Sequence, residues 1–442
     1  MKKMSKQQSD ALAYHRYPEP GKIEIVPTKP FSTPADLALA YSPGVAYPCL
    51  KIADDPSAAA IYTDRDNTLA VVSNGTAVLG LGNLGALASK PVMEGKAMLF
   101  KIFAGINAVD IEVDETDPAR MADVVRAIST GFGGINLEDI KAPECFEVER
   151  RLIEQCDIPV MHDDQHGTAV IVAAGFINAT CVQGKKIEDI HLVVNGAGAA
   201  AIACTRLLVD LGVKRQNIII CDSKGVIRAD RPGLTPQKAE FATSRPDVHT
   251  LADAMCGADA FLGLSVANVV TPDMLLSMAE KPIVFALANP DPEVARDVAM
   301  ATRSDIVYAT GRSDYPNQIN NVLGFPYIFR GALDCRARVI NTEMKLAAAR
   351  AIARIARHKT SEDVCALYPD ENLVFGPDYI LPKPFDRRLL IMVPPLVAKA
   401  AMDSKVARRK IRNLVDYGKS LARYVAESDH AMQAFVASAK AI

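Results

Sequence analysis

Short apolar runs alternating with helix-period segments dominate this chain from about residue 55 onward. An apolar run over 68–73 is followed by a Gly-rich turn, a helical pattern over 94–104, a second run over 108–113 and a helical pattern over 118–130. Two further runs end in paired acids: Ile135-Asn136-Leu137 enters Glu138-Asp139, and Ile158-Pro159-Val160-Met161-His162 enters Asp163-Asp164. Strands alternating with helices in this way predict a parallel sheet. A long apolar helix over 168–181 follows, and strands and helices then start afresh over 189–309. That restart marks a domain boundary. Upstream, Pro18, Pro20, Pro27, Pro30, Pro34, Pro43 and Pro48 predict an extended wrapping arm with one short helix over 34–40. Beyond Asn321 the pattern is mostly helical, with a basic, polar segment over 405–423 and a final amphipathic stretch to Ile442. There is no repeat at solenoid spacing and no low-complexity tract.

A chain of 442 residues exceeds one typical core, so two domains and a cleft between them are expected. The formal net charge of -2 leaves no cationic excess for a polyanion, which argues against nucleic acid as a partner. Nine cysteines without a Cys-x-x-Cys pair fit a reducing compartment. The polar start has no signal-peptide core, and no apolar run is expected to reach bilayer-spanning length. These features predict a soluble cytoplasmic protein without membrane contact.

If the two acid-tipped runs are neighbouring parallel strands, Glu138, Asp139, Asp163 and Asp164 meet at one carboxyl edge, where open α/β sheets bind ligands. Converging carboxylates repel one another unless a hard cation such as Mg2+ or Mn2+ neutralises them. The competing reading is that each pair caps the next helix, opened by Pro143-Glu144 or by His166-Gly167-Thr168. Further on, the run 191–194 leads into Asn195-Gly196-Ala197-Gly198-Ala199-Ala200-Ala201, then a helix, then a strand over 218–221 ending at Asp222. This is the order of a dinucleotide site: Gly196 for the turn, Gly198 for close approach to the pyrophosphate, Ala201 at the third-glycine position. Asp222 favours a free ribose 2′-hydroxyl, while Lys224 offers a partner for a 2′-phosphate. A second match, Gly80-Leu81-Gly82-Asn83-Leu84-Gly85, has a helix start broken by Pro91 and Gly95 and reads as a structural or substrate-side loop. Lys96 lies in an apolar helix start, where burial would lower its proton affinity and suit it to act as a base; a surface lysine with its stem on apolar neighbours fits the spacing too. Tyr41 stands at a helix-to-turn transition and reads either as core packing or as a hydroxyl reaching a cleft. Asn289 follows a strand over 283–287, and Asn320-Asn321 form a polar loop pair. His162 and His166 without a soft third ligand argue against zinc.

Taken together, Tyr41-Ser42-Pro43-Gly44-Val45, Leu79-Gly80-Leu81-Gly82-Asn83-Leu84-Gly85, Glu94-Gly95-Lys96, Asn136-Leu137-Glu138-Asp139 and His162-Asp163-Asp164-Gln165-His166-Gly167-Thr168 resemble a bacterial malic enzyme over roughly residues 15 to 400. The resemblance implies an α/β fold of two domains. A substrate- and metal-binding domain with a parallel sheet would span 1–163, and a Rossmann-type NAD(P)-binding domain 164–321. A helical return to the substrate domain over 322–403 and a tail or linker over 404–442 would follow. It implies oxidative decarboxylation of (S)-malate to pyruvate and CO2, with Glu138, Asp139 and Asp164 as ligands of Mg2+ or Mn2+. Lys96 would be the base and touch substrate, Tyr41 the acid, and Asp163 would lie beside the lysine. Gly196, Ala197, Gly198, Ala199, Ala200, Asp222, Lys224 and Asn289 would face the cofactor, and Asn321 the substrate. Pro382-Lys383-Pro384-Phe385-Asp386 is similar to larger bacterial hybrids in which a phosphotransacetylase-like module follows, and on that analogy NADP is expected ahead of NAD. Eukaryotic members carry an arginine where this chain has Ala77. A metal-independent NAD(P) dehydrogenase of an amino or hydroxy acid and a non-catalytic nucleotide-sensing module are the alternatives. The proline-rich arm and helical tail suggest a homodimer.

Overall fold

The computed structural model describes residues 4–78 and 81–439. Two open sheets organise them. In the first, β1 (Thr68–Ser73), β2 (Asn107–Glu112), β3 (Gly134–Leu137) and β4 (Val160–His162) run parallel in the order β2-β1-β3-β4. In the second, β5 (Leu192–Asn195), β6 (Ile218–Asp222), β7 (Gly225–Val226), β8 (Ala260–Gly263), β9 (Ile283–Ala286) and β10 (Val307–Thr310) take the order β10-β9-β8-β5-β6-β7, with only β7 antiparallel. Both orders double back on themselves, at β1/β3 and at β5/β8, and such reversals open crevices at carboxyl edges.

The period-2 alternation of the strands decides which layers join. Leu69 and Val71 of β1 share one buried cluster with Leu192 and Val194 of β5, so a single core runs behind both sheets. The alternate residues, Ala70 and Val72 or Val193 and Phe261, face separate clusters on the far sides. The helix Asp163–Gln183 lies in the shared core and contacts the helices Ala199–Leu211 and Thr342–Ala356 together with β4, β9 and β10. By length and hydropathy that helix would suffice to span a bilayer, contrary to the expectation that no segment would. Its apolarity has a packing cause, since most of it is buried between layers of the fold.

Three differences from the sequence reading are physical. The helix expected over 94–104 begins at Ala86 and passes through Pro91 and Gly95. Burial of Met93, Lys96, Ala97 and Phe100 along one side outweighs the weak propensities of those two residues. The helix expected from 168 starts at Asp163, so both acids occupy its first turn, where the partial positive charge of a helix N-terminus favours them. The arm carries three helices, Lys6–Arg16, Pro34–Ala40 and Ala46–Asp54, and none of them buries a residue. Leu79 and Gly80 of the second glycine motif, and the last residues of the amphipathic stretch, 440–442, lie outside the described residues.

Candidate active site

The four acids meet, each held by a separate constraint. Glu138 extends β3 by one step, its N–H donating to the Val72 carbonyl at 2.9 Å, and Asn136 donates to its carboxylate at 3.0 Å. Asp139 turns into the left-handed region with φ 53°, which acidic residues tolerate better than most. Its N–H donates to Asp164 Oδ2 at 2.8 Å and its carbonyl accepts from Ala77 at 2.9 Å, tying the two acid pairs to the glycine-rich loop after β1. Carboxylate oxygens of Glu138, Asp139 and Asp164 lie within 4.8 Å of one another. Asp163 points to the other side, toward Lys96.

Lys96 is only 7% exposed. Its Nζ lies 2.9 Å from Glu138 Oε1, donates to Asp163 Oδ2 at 2.7 Å, and sits 4.2 Å from the centre of the Phe325 ring. Asn321 donates to the same Asp163 oxygen at 2.6 Å. Burial alone would favour the neutral amine, as the sequence reading expects. The carboxylates of Asp163 and Glu138 outweigh it and raise the lysine above its ordinary value. In this arrangement Lys96 is an ammonium, which corrects that expectation.

The acids carry the complementary signature. Burial, with the Asp164 charge adding to it against the pull of Lys96, pushes Glu138 up to about 7, and burial pushes Asp164 up to about 6. Asp163 is likewise raised to about 6 by burial, despite Lys96. Three converging oxygen donors, with burial disfavouring the anionic forms of Glu138 and Asp164, fit a hard divalent cation, and the all-oxygen set argues against zinc. Behind them, Glu149 accepts from the His162 N–H at 2.8 Å and contacts His166 Nε2 at 3.1 Å. Burial holds the His162 ring down to about 4, so it is neutral.

At the second sheet, Gly196 adopts φ 122° and a Cβ there would lie 2.3 Å from the Leu264 carbonyl, so the turns after β5 and β8 pass at glycine distance. Gly198 is the N-cap of the helix Ala199–Leu211, and the space where its Cβ would stand is open. Ala201 is buried against the sheet. Ala197, Ala199 and Ala200 complete the turn and helix start. Asn289 follows β9 at the same edge and reaches over Gly311 after β10. Asp222, at the end of β6, accepts from the Lys224 N–H at 2.9 Å, from Arg231 at 3.0 Å and from Lys238 at 2.9 Å. Despite partial burial, those bonds hold its carboxyl well below the usual range. The cations beside Asp222 are thus Arg231 and Lys238; Lys224 contributes its backbone, and its side chain is exposed.

Tyr41 departs from expectation. It is 70% exposed at the end of the helix Pro34–Ala40, and among the described residues its hydroxyl makes no hydrogen bond. The core-packing reading does not match this position. Sequence reasoning also missed Phe325, Glu149 and Glu293. Glu293 is fully buried and accepts from the N–H groups of Ser265 and Ala288, fixing the loops after β8 and β9. In sequence Gly167 reads only as part of a helix start. A Cβ there would lie 1.8 Å from Asp163 Oδ1, so its glycine makes room for the acid that holds Lys96.

Residues 20–123 match the family model described as "Malic enzyme, N-terminal domain", and residues 165–374 match "Malic enzyme, NAD binding domain". The solved malic enzyme of Pyrococcus horikoshii superposes with a TM-score of 0.90 at 40% identity, covering 98% of this chain and 99% of that one. The chain belongs to the malic enzyme family. Among curated members, an "NAD-dependent malic enzyme" of Rhizobium meliloti is 57% identical over 430 residues, which is 97% of this chain and 56% of that one. An "NADP-dependent malic enzyme" of Salmonella typhimurium is 56% identical over 431 residues, 97% of this chain and 57% of that one. The chain therefore spans little more than half the length of these family members. Where eukaryotic malic enzymes place an arginine, Ala77 offers its N–H to Asp139 and no cation.

Proposed function

We propose that this chain catalyses oxidative decarboxylation of (S)-malate to pyruvate and CO2, reducing NADP or NAD, with a divalent metal at Glu138, Asp139 and Asp164. The observation that carries this reading is the position of Lys96, buried between Glu138 and Asp163 beside three converging carboxylates. Mg2+ or Mn2+ bound there supplies the positive charge that draws electrons from the substrate as CO2 leaves. Were Glu138 drawn to such an ion, Lys96 would keep only Asp163 as its counter-charge, and its buried ammonium would become easier to deprotonate. As the neutral amine, its extra proton given up to solvent before malate reacts, Lys96 accepts the malate hydroxyl proton as hydride passes to the nicotinamide. Asp163, itself held by Asn321, fixes the lysine in place, and Asn321 and Lys96 face the substrate. The cofactor lies along the turn 196–200 with Asn289 near its nicotinamide end. Arg231 and Lys238 beside Asp222 favour the 2′-phosphate of NADP.

Tyr41, the acid that protonates the enolate carbon, belongs to an arm whose apolar side chains find no cover within the chain. Ile25 is 95% exposed, and Phe31, Leu39, Tyr47 and Leu50 are all largely exposed. Large apolar side chains left exposed in this number along one arm call for a partner. We assign that cover to a second copy in a homodimer, which brings Tyr41 of one protomer to the cleft of the other. The domain limits 1–163, 164–321, 322–403 and 404–442 belong to this reading. So does a cytoplasmic setting, supported by nine free cysteines. A phosphotransacetylase-like module following the segment around Pro382–Asp386 in a longer chain completes it, in keeping with the greater length of the relatives.

The test mixes purified chain with L-malate, Mn2+ and NADP or NAD, and follows reduced cofactor and pyruvate together. Equal rates of both are expected, with loss of both on exhaustive EDTA treatment. Reduction that survives chelation would establish the metal-independent dehydrogenase, and nucleotide binding without turnover the sensing module.

A further inference from the structure

A cavity of about 650 Å³ lies away from the acids, between the C-terminal ends of the helices Ala86–Ala104 and Phe325–Asp334 and the start of the helix Leu414–Ala439. Its size is that of a small-molecule site. Its floor is a closed polar network: Arg330 donates to Asn67 at 2.6 Å and pairs with Asp334, which also accepts from Tyr417, while Asn67 donates to the Gly105 carbonyl at 3.1 Å. Its rim differs. Arg409, Lys410 and Arg412 line it, and among the described residues none of the three has a carboxylate within ion-pair distance. Counting Arg330 and Asp334, the lining carries four cations against one anion.

Three cations gathered at a cavity mouth without counter-charges repel one another, and the chain elsewhere pairs its surface arginines routinely, as Arg408 does with Asp157. We infer that this cavity binds a small molecule bearing two or more phosphates and an apolar or aromatic body, of the nucleoside polyphosphate class. The orientation follows from the two ends. Helix C-termini at the floor carry partial negative charge and reject phosphate, whereas the rim carries the unpaired cations Arg409, Lys410 and Arg412. The phosphates therefore sit at the rim, and the body lies inward against Ala104, Leu421 and the Tyr424 ring.

The position also connects this cavity to Lys96. The helix Ala86–Ala104 carries Lys96 and ends at the cavity floor. The helix Phe325–Asp334 starts with the ring that underlies the lysine and ends with Arg330 and Asp334. Phe100 packs edge-on to Phe325 at 4.8 Å and to Phe329 at 5.5 Å, so the two helices move as one packed pair. An occupant that shifts either helix end moves Lys96 with it.

Calorimetric titration of the full chain, saturated with NADP to block the nucleotide turn, tests the site with ATP and with pyrophosphate as probes. ATP is expected to bind once per chain and at least tenfold more tightly than pyrophosphate. The double variant R409E/R412E, and independently S420E, should weaken ATP at least tenfold, as reversed charges at the mouth require. Neither change should alter malate turnover without ATP. Added ATP should change the malate KM in the parent and leave it unchanged in R409E/R412E. Absence of ATP binding at millimolar concentration, or equal binding by parent and both variants, would overturn the site. Pyrophosphate binding as tight as that of ATP would overturn the assigned apolar end. The titrations need no turnover, so failure of the catalytic reading would leave them decisive.

Discussion

Lys96 shows how far a residue's chemistry depends on neighbours that are distant in sequence. An apolar helix start signals burial, and burial alone predicts a neutral amine; the two acids that reverse this arrive from the ends of β3 and β4. The acids themselves were legible, because apolar runs ending in paired carboxylates are rare enough to be read as strand tips. Their exact placement was less so, since Asp163 and Asp164 prove to be first-turn helix residues and neither acid pair supplies a side-chain cap to the helix that follows it. Replacing Lys96 with Met should lower turnover by about 10²–10⁴-fold, the usual contribution of a proton-transfer group, and should also destabilise the fold because Glu138 and Asp163 lose their buried counter-charge. Steady-state kinetics and urea denaturation measure the two effects separately. Asp164→Asn should weaken Mn2+ binding at least tenfold, read by paramagnetic titration, while leaving NADP affinity unchanged. Gly167→Ala should resemble K96M in kinetics, because the added methyl collides with the carboxylate that steadies the lysine.

Among the elements, the ones carrying function were easier to find than to delimit. The strand, turn, helix, strand and acid order at 191–222 was complete in sequence because each step has its own residue type. The helix Ala86–Ala104 was cut short at its Pro and Gly, since packing against β1, β2 and the helix Phe325–Asp334 is not visible locally. The same limit hid Arg231 and Lys238, which reach Asp222 from beyond the strand. Gly196→Ala combines a φ of 122° with a carbonyl at 2.3 Å, so it should weaken NADP binding at least tenfold in a fluorescence titration, with the helical circular dichroism signal retained. Arg231→Ala should shift preference from NADP toward NAD, measured as the ratio of kcat/KM values.

For the molecule as a whole, the sheets could be anticipated from alternation, whereas the core that joins them and the exposure of Tyr41 could not, because both depend on how distant layers pack. Light scattering should give twice the chain mass. If Tyr41 works across the dimer, co-refolding equal amounts of Y41F and K96M should restore about a quarter of parental activity, as random pairing of two-site dimers requires. No recovery would place the tyrosine elsewhere. The helix Asp163–Gln183 ties the two sheets together. At 1.5 Å per residue its 21 residues form a rod about 31 Å long, rooted in the acids at one end and wedged among the nucleotide-side strands β9 and β10 along its length. By that geometry a tilt of a few degrees at the far end would displace the carboxylates by about an ångström or more, so a shift of β9 and β10 would be felt at the acids.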